Sequence, residues 1–150
     1  MPTRSCPSHV TADMATLIDT NVLVDLAVPS SNWHGWSRQR TIEAFDQGPV
    51  LINPIIYAEF SVRYRDIDEV DNALPEDAFR RENLPWPAAF AAAAAFRIYR
   101  KAGGQRERVL PDFLIGAHAA IRGYSLLTRD VKGYRAYFPS LDLITPETHP

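Results

Sequence analysis

The sequence predicts an α/β fold, a mostly parallel sheet of four to five strands sandwiched between helices. Three observations carry this. Apolar runs of three or four residues recur along the 150-residue chain. The stretches between them show helical caps or helical periodicity, and Pro and Gly punctuate their ends. Strands separated by helices pair in parallel through crossovers, which puts helices on both faces of the sheet.

Taken in order, residues 1–13 are rich in Pro, Ser and Thr without periodicity and read as a flexible tail, leaving 14–150 as one domain. After Met14, Ala15–Ile18 is a short strand ending at Asp19. Asp19-Thr20-Asn21 supplies N-cap chemistry for a helix beginning near Val22. Val50–Ile52 is a second buried strand. It runs into Asn53-Pro54, a cap followed by proline at the first helical position. At about 100° per residue, Ile56, Tyr57, Phe60 and Tyr64 then share a face, with Glu59 at its edge about 60° from Ile56. Residues 66–87 are acidic and interrupted by proline, and predict a polar helical excursion. Ala88–Lys101 is an alanine-rich helix packed through Phe90, Phe96 and Tyr99, and stopped by Gly103-Gly104. Pro111 opens another helix and Gly123 closes it. Ser125–Thr128 is a third strand ending at Arg129-Asp130, and Leu141–Ile144 a fourth with Asp142 pointing outward.

Composition narrows the setting. An apolar share of 46% and a charged share of 23% are those of a globular domain with a core. The single cysteine, Cys6, cannot form an internal disulfide, which fits a reducing cytoplasm. No apolar run approaches the roughly 18 residues that span a bilayer, and the N-terminus lacks the apolar segment of a secretory signal. Net charge is −2, divided as −6 over residues 1–93 and +4 over 94–150. A basic C-terminal half suits a phosphate-bearing partner, although scattered solvated arginines would look the same.

Four carboxylates carry the chemistry. In an open α/β sheet, ligands bind beyond the carboxyl ends of the strands. Asp19 and Asp130 sit where strands run out, Glu59 lies on the helix after the second strand, and Asp112 is in the first turn of the helix before the third. A parallel sheet lets all four converge on one edge. Carboxylates so placed repel one another unless a cation neutralises them. Hard, oxygen-seeking Mg²⁺ or Mn²⁺ suits them, and such an ion serves phosphodiester hydrolysis. Each acid also has a plainer reading: Asp19 as a cap, Asp112 as a helix-dipole partner, Glu59 as the i,i+4 partner of Arg63, Asp130 as a turn residue. Their convergence is the argument for function.

The motifs resemble those of PIN-domain ribonucleases, in particular the VapC-type toxins of type II toxin–antitoxin pairs. LIDTNVLVDL (17–26) is similar to the family's first motif, NPIIYAEF (53–60) to its second, and LPDFLIGAHAAIRGYSLLTRD (110–130) to its third and fourth together. GYRAYFPSLDLITP (133–146) resembles the ending common among the toxins. The resemblance implies a PIN-like α/β/α sandwich and a Mg²⁺- or Mn²⁺-dependent endoribonuclease that hydrolyses RNA with metal-activated water. Asp19, Glu59, Asp112 and Asp130 would bind the metal, Thr128 would orient a carboxylate, and Asn21 would brace the Asp19 turn. It also implies a VapB-type antitoxin and a homodimer.

Arg129, Lys132 and Arg135 flank Asp130 and are candidates for RNA phosphate contacts, or a solvated basic loop. His118 lies about 120° from Asp112 on their helix and favours packing or an interface over chemistry. Asp112 shares its stripe with Gly116, Ala119 and Gly123, small enough to admit another backbone or an RNA strand. Asp25 reads as helix surface. Trp33, Trp36 and Trp86 are either base-stacking residues or, the commoner use of large aromatics, buried packing. Two rival functions are a phosphomonoesterase and a non-catalytic partner-binding module. The first wants a second aspartate two residues after a nucleophilic one, where this chain has Asn21. The second does not account for four retained acids.

Overall fold

The computed structural model describes residues 14–104 and 109–150, so the expected tail at 1–13 lies outside the described residues. In chain order the elements are β1 (Thr16–Ile18), α1 (Thr20–Ala27), α2 (His34–Gln47), β2 (Val50–Ile52), α3 (Pro54–Ser61), α4 (Ile67–Ala73), β3 (Phe79–Arg81), α5 (Trp86–Lys101), α6 (Val109–Arg122), β4 (Ser125–Leu127), α7 (Val131–Tyr137) and β5 (Leu143–Ile144). The five strands form one sheet in the order β3-β2-β1-β4-β5, and every pairing among them is parallel. This is the α/β/α sandwich that the alternation of elements predicts.

Strand β1 is central and fully buried, as are β2 and most of β4. Their runs of Leu, Ile and Val lack polar alternation because helices cover both faces. Asn53 caps α3 by accepting the Ile56 N–H at 2.9 Å, with Pro54 opening the helix. Ile56 and Phe60 are buried as the helical face requires, and Tyr64 packs on Phe60 with ring centroids 5.1 Å apart. Gly123, at φ 73°, closes α6 in the left-handed conformation that glycine adopts without strain.

Two elements go beyond the periodicity. The excursion at 66–87 contains the helix α4, but also β3, whose Arg80 and Arg81 are exposed. This is an edge strand, and charged residues are the usual way to blunt an edge. Helix α2 buries Ser37, Thr41 and Ala44, so its inner face carries no large apolar residue. In α5, Ala88, Ala92 and Ala95 form the buried face, and Phe90 stands 74% exposed where packing was expected. Phe96 and Tyr99 do pack, edge to face with Phe113 of α6.

The small stripe of α6 serves the chain itself. A Cβ built on Gly116 would lie 2.7 Å from the Phe138 ring and 3.0 Å from that of Tyr134, so these two rings, and neither RNA nor another backbone, occupy the space. Gly116→Ala is therefore expected to cost about 1–3 kcal/mol, the scale of an overpacked core. Urea titration of the parent and variant measures it, and equal midpoints would show that the rings yield freely.

Candidate active site

The register of the sheet builds the site. Ile18 pairs with Leu127, so Asp19 and Thr128 leave the carboxyl ends of neighbouring strands side by side. The Asp19 N–H continues the ladder to the Leu127 carbonyl at 2.9 Å. Asp19 then caps α1, its Oδ1 accepting the Thr20 N–H at 2.7 Å.

Its other oxygen is more heavily engaged. Asp19 Oδ2 accepts the Thr128 hydroxyl at 2.8 Å, the Tyr134 hydroxyl at 3.0 Å and Asn21 Nδ2 at 3.3 Å. Asn21 also donates to Thr128 Oγ1 at 3.3 Å and accepts the Arg129 N–H at 3.1 Å, so it braces both strand ends. Thr128 Oγ1 accepts the Asp130 N–H at 3.0 Å. Thr128 and Asn21 thus tie Asp19 to the Asp130 turn. Tyr134 was missed. It is buried on α7, and no local pattern ties a residue there to one 115 positions earlier.

The four acids line one open cleft of about 460 Å³, together with Thr20, Asn21, Val24, Arg63 and Arg129. Glu59 Oε1 accepts the Thr20 hydroxyl at 2.7 Å. Helix α3 ends at Ser61, so a four-residue spacing no longer sets Arg63 beside Glu59 on one helical face. Asp112 is half-buried in the first turn of α6. Asp130 is exposed and caps α7 through the Gly133 N–H at 3.4 Å. Asp19, Asp112 and Asp130 all act electrostatically on the Tyr134 hydroxyl, holding its pKa well above the usual value, with burial the larger cause. Among the described residues, no three Asp, Glu, His or Cys side chains stand together as a ready-made set for one ion.

Burial pushes the Asp19 carboxyl up to about 6, opposed by the Thr128, Thr20 and Tyr134 hydrogen bonds and assisted by the charge of Glu59. The folded protein keeps this proton to about pH 6, whereas the unfolded chain releases it near 3.8. The native state binds more protons across that window, so stability falls as pH rises through it, by about 3 kcal/mol for this group. In EDTA, unfolding free energies of the parent are expected to decline between about pH 4 and 6.5, and Asp19→Asn to flatten that decline. Parallel profiles would show that burial does not hold the proton.

The flanking basic residues separate. Lys132 is exposed on α7. Arg135 lines a different cavity, with Phe138, Leu141 and Asp142. Arg129 lines the cleft, but its guanidinium is paired with Asp25 at 2.7 Å. Asp25 is therefore not helix surface: it is 2% exposed and also receives the Ser37 and Ser31 hydroxyls at 2.6 and 2.9 Å. The serines of the α1–α2 turn and of α2 carry that signal, but only the fold brings them to Asp25.

His118 is buried away from the cleft, as its helical position indicated. Asn53 Nδ2 lies 3.0 Å from its Nδ1 and Glu82 Oε2 2.8 Å from its Nε2. The Glu82 carboxylate can only accept, so Nε2 carries the proton and Nδ1 accepts from Asn53. Glu82 also receives Tyr124 and Arg122, and these contacts join α6 to the ends of β2 and β3.

A parallel sheet between two helical layers, with acids at the carboxyl ends of its central strands, defines an α/β/α domain built around an acidic cleft. The chain belongs to the PIN-domain family, whose model matches residues 16–139. PIN domains are generally nucleases. A toxin–antitoxin complex from Klebsiella pneumoniae is similar in structure, with 27% identity, a TM-score of 0.62, and coverage of 87% of this chain and 97% of the other. The same fold is seen in VapBC2 from Rickettsia felis bound to a promoter DNA fragment, at 15% identity, TM-score 0.68, and 87% and 98% coverage. It is seen again in VapBC-1 from nontypeable Haemophilus influenzae, at 17% identity, TM-score 0.67, and 87% and 97% coverage. Comparison with curated protein sequences gives no match. Among the described residues, no helix is long and apolar enough to cross a membrane.

Proposed function

We propose that the protein is a Mg²⁺- or Mn²⁺-dependent endoribonuclease and the toxin of a VapBC-type pair, working in the cytoplasm as a homodimer and restrained by a VapB-type antitoxin. The observation that carries this is the convergence of Asp19, Glu59, Asp112 and Asp130, from four separate elements, on one open cleft of a PIN domain. The likeness to toxin–antitoxin complexes supports the toxin role.

The donor chemistry fits a hard divalent cation held by one or two carboxylates, with water filling its other positions. All four acids lining the cleft offer carboxylate oxygens, no three among the described residues stand together as a set, and the charge of Glu59 already bears on buried Asp19. When bound, such an ion polarises the phosphate and favours hydroxide over water. The chain's own residues do the rest. Thr128, Tyr134 and Asn21 fix Asp19 Oδ2, which leaves Oδ1, with the single Thr20 N–H, as the oxygen freer to take a ligand. Thr20 orients Glu59 through its hydroxyl. Arg63, lining the same cleft, supplies positive charge for a phosphate.

The test is cleavage of single-stranded RNA by the purified chain in Mg²⁺ or Mn²⁺ and in EDTA, paired with thermal melts. Divalent-dependent cleavage is expected, with a rise in melting temperature that is much smaller in Asp112→Asn. Cleavage in EDTA, or equal thermal shifts in both proteins, would defeat the metal reading. Growth arrest on expression, relieved by the product of an adjacent antitoxin frame, tests the toxin role.

A further inference from the structure

Beside the acids, Arg129 lines the cleft and is held by partners that the metal chemistry does not use. Arg129 Nε and Nη2 donate to Asp25 Oδ2 and Oδ1 at 2.7 and 3.1 Å, so carboxylate and guanidinium meet fork to fork. The Arg129 Cζ stands 5.5 Å from the Trp33 ring centroid. Trp33 meets Trp36 edge to face at 6.2 Å, and Trp36 Nε1 donates to the His149 carbonyl at 2.6 Å. Trp33 is 40% exposed and the Arg129 side chain 29%.

We propose that Arg129 and Trp33 form a subsite that stacks an unpaired nucleobase of single-stranded RNA beside the scissile phosphate. This rests on the ribonuclease reading. Asp25 is a buried carboxylate that neutralises Arg129, and two of the three guanidinium nitrogens are spent on it. What is left suits a phosphate poorly, the more so beside four further carboxylates. A neutralised guanidinium keeps its flat face, and its orientation is locked from behind by Asp25 and from one side by the indole. Stacking of bases on arginine planes and aromatic rings is a standard way of holding single strands. Arg63 lines the cleft and has no ion pair among the described residues, so phosphate attraction falls to it. The subsite assigns to Arg129 a role in base preference that its position in the sequence, next to Asp130, would have given to phosphate binding.

The experiment measures binding of labelled single-stranded RNA by anisotropy in Mg²⁺, on an Asp112→Asn background to suppress cleavage. Arg129→Lys keeps the charge opposite Asp25 and loses the plane, and Trp33→Leu keeps apolar bulk and loses the ring. Each is expected to weaken binding about tenfold, the scale of one base–aromatic stack, without changing the salt dependence. Replacing single nucleotides by abasic ones should weaken binding to the background protein at one position, and that position should vanish from the profile of either variant. Binding unchanged in both variants, or abasic profiles that coincide, would overturn the subsite. A salt slope lowered by about one when Arg129→Met is combined with Asp25→Asn, which removes the cation, would reassign the residue to phosphate and overturn it too. Should Arg129→Lys not fold, Trp33→Leu decides alone. Cleavage by the protein with Asp112 intact, assayed in parallel, tests the reading underneath: failure there with base-dependent binding intact would remove the nuclease and leave the subsite.

Discussion

Asp19→Asn is expected to leave the protein folded and to lower divalent-dependent RNA cleavage by at least 10–100-fold, the loss seen when even an outer partner of a metal site is removed. Asparagine caps helices about as well as aspartate, so α1 keeps its start. The change removes a negative charge whose Oδ1 is the less engaged oxygen and whose Oδ2 already holds three donors. Toxicity on expression should fall with it. A matched thermal melt excludes unfolding, and a folded variant cleaving at the parent's rate would sink the nuclease assignment.

Arg129→Ala is expected to destabilise the protein by about 2–3 kcal/mol, below the full cost of breaking a buried pair because the arginine is partly exposed. The cost arises at Asp25, whose side chain is 3% exposed and would keep only the two serine hydroxyls. Asp25→Asn combined with Arg129→Met removes both charges and should recover most of the loss. Denaturant unfolding of Asp25→Asn, Arg129→Met and their double measures the coupling, and simple additivity would show that the pair contributes nothing.

The fold was largely legible because its determinants are local. Buried strands announce themselves as short apolar runs, and Asp19, Asn53, Pro54 and Gly123 mark helix ends with side-chain and backbone chemistry. Helix α2 was not legible, since its inner face is Ser37, Thr41 and Ala44, and apolar periodicity cannot see a face made of small polar residues. Strand β3 was hidden by Arg80 and Arg81, which an edge strand tolerates and a central one does not. The acids and their supports Thr128 and Asn21 were readable from sequence position together with a family resemblance. Tyr134, the burial of Asp25 and the binding of Arg129 to it were not. Each depends on residues brought together across long stretches of chain, where no spacing rule applies.

The same distances govern when the site comes into being. Central β1 is an early segment, yet its neighbour β4 and the Asp19 partners Thr128 and Tyr134 lie 109 and 115 residues further on. Pairing at such separations closes very large loops, which slows folding and delays it until the distant segment exists. On the ribosome, a nascent chain therefore holds no complete acidic cleft until Tyr134 has emerged, and until then Asp19 lacks the hydroxyls that fix it. Synthesis order itself sets when the site can exist: it closes only in the interval between the emergence of β4 and its pairing with β1.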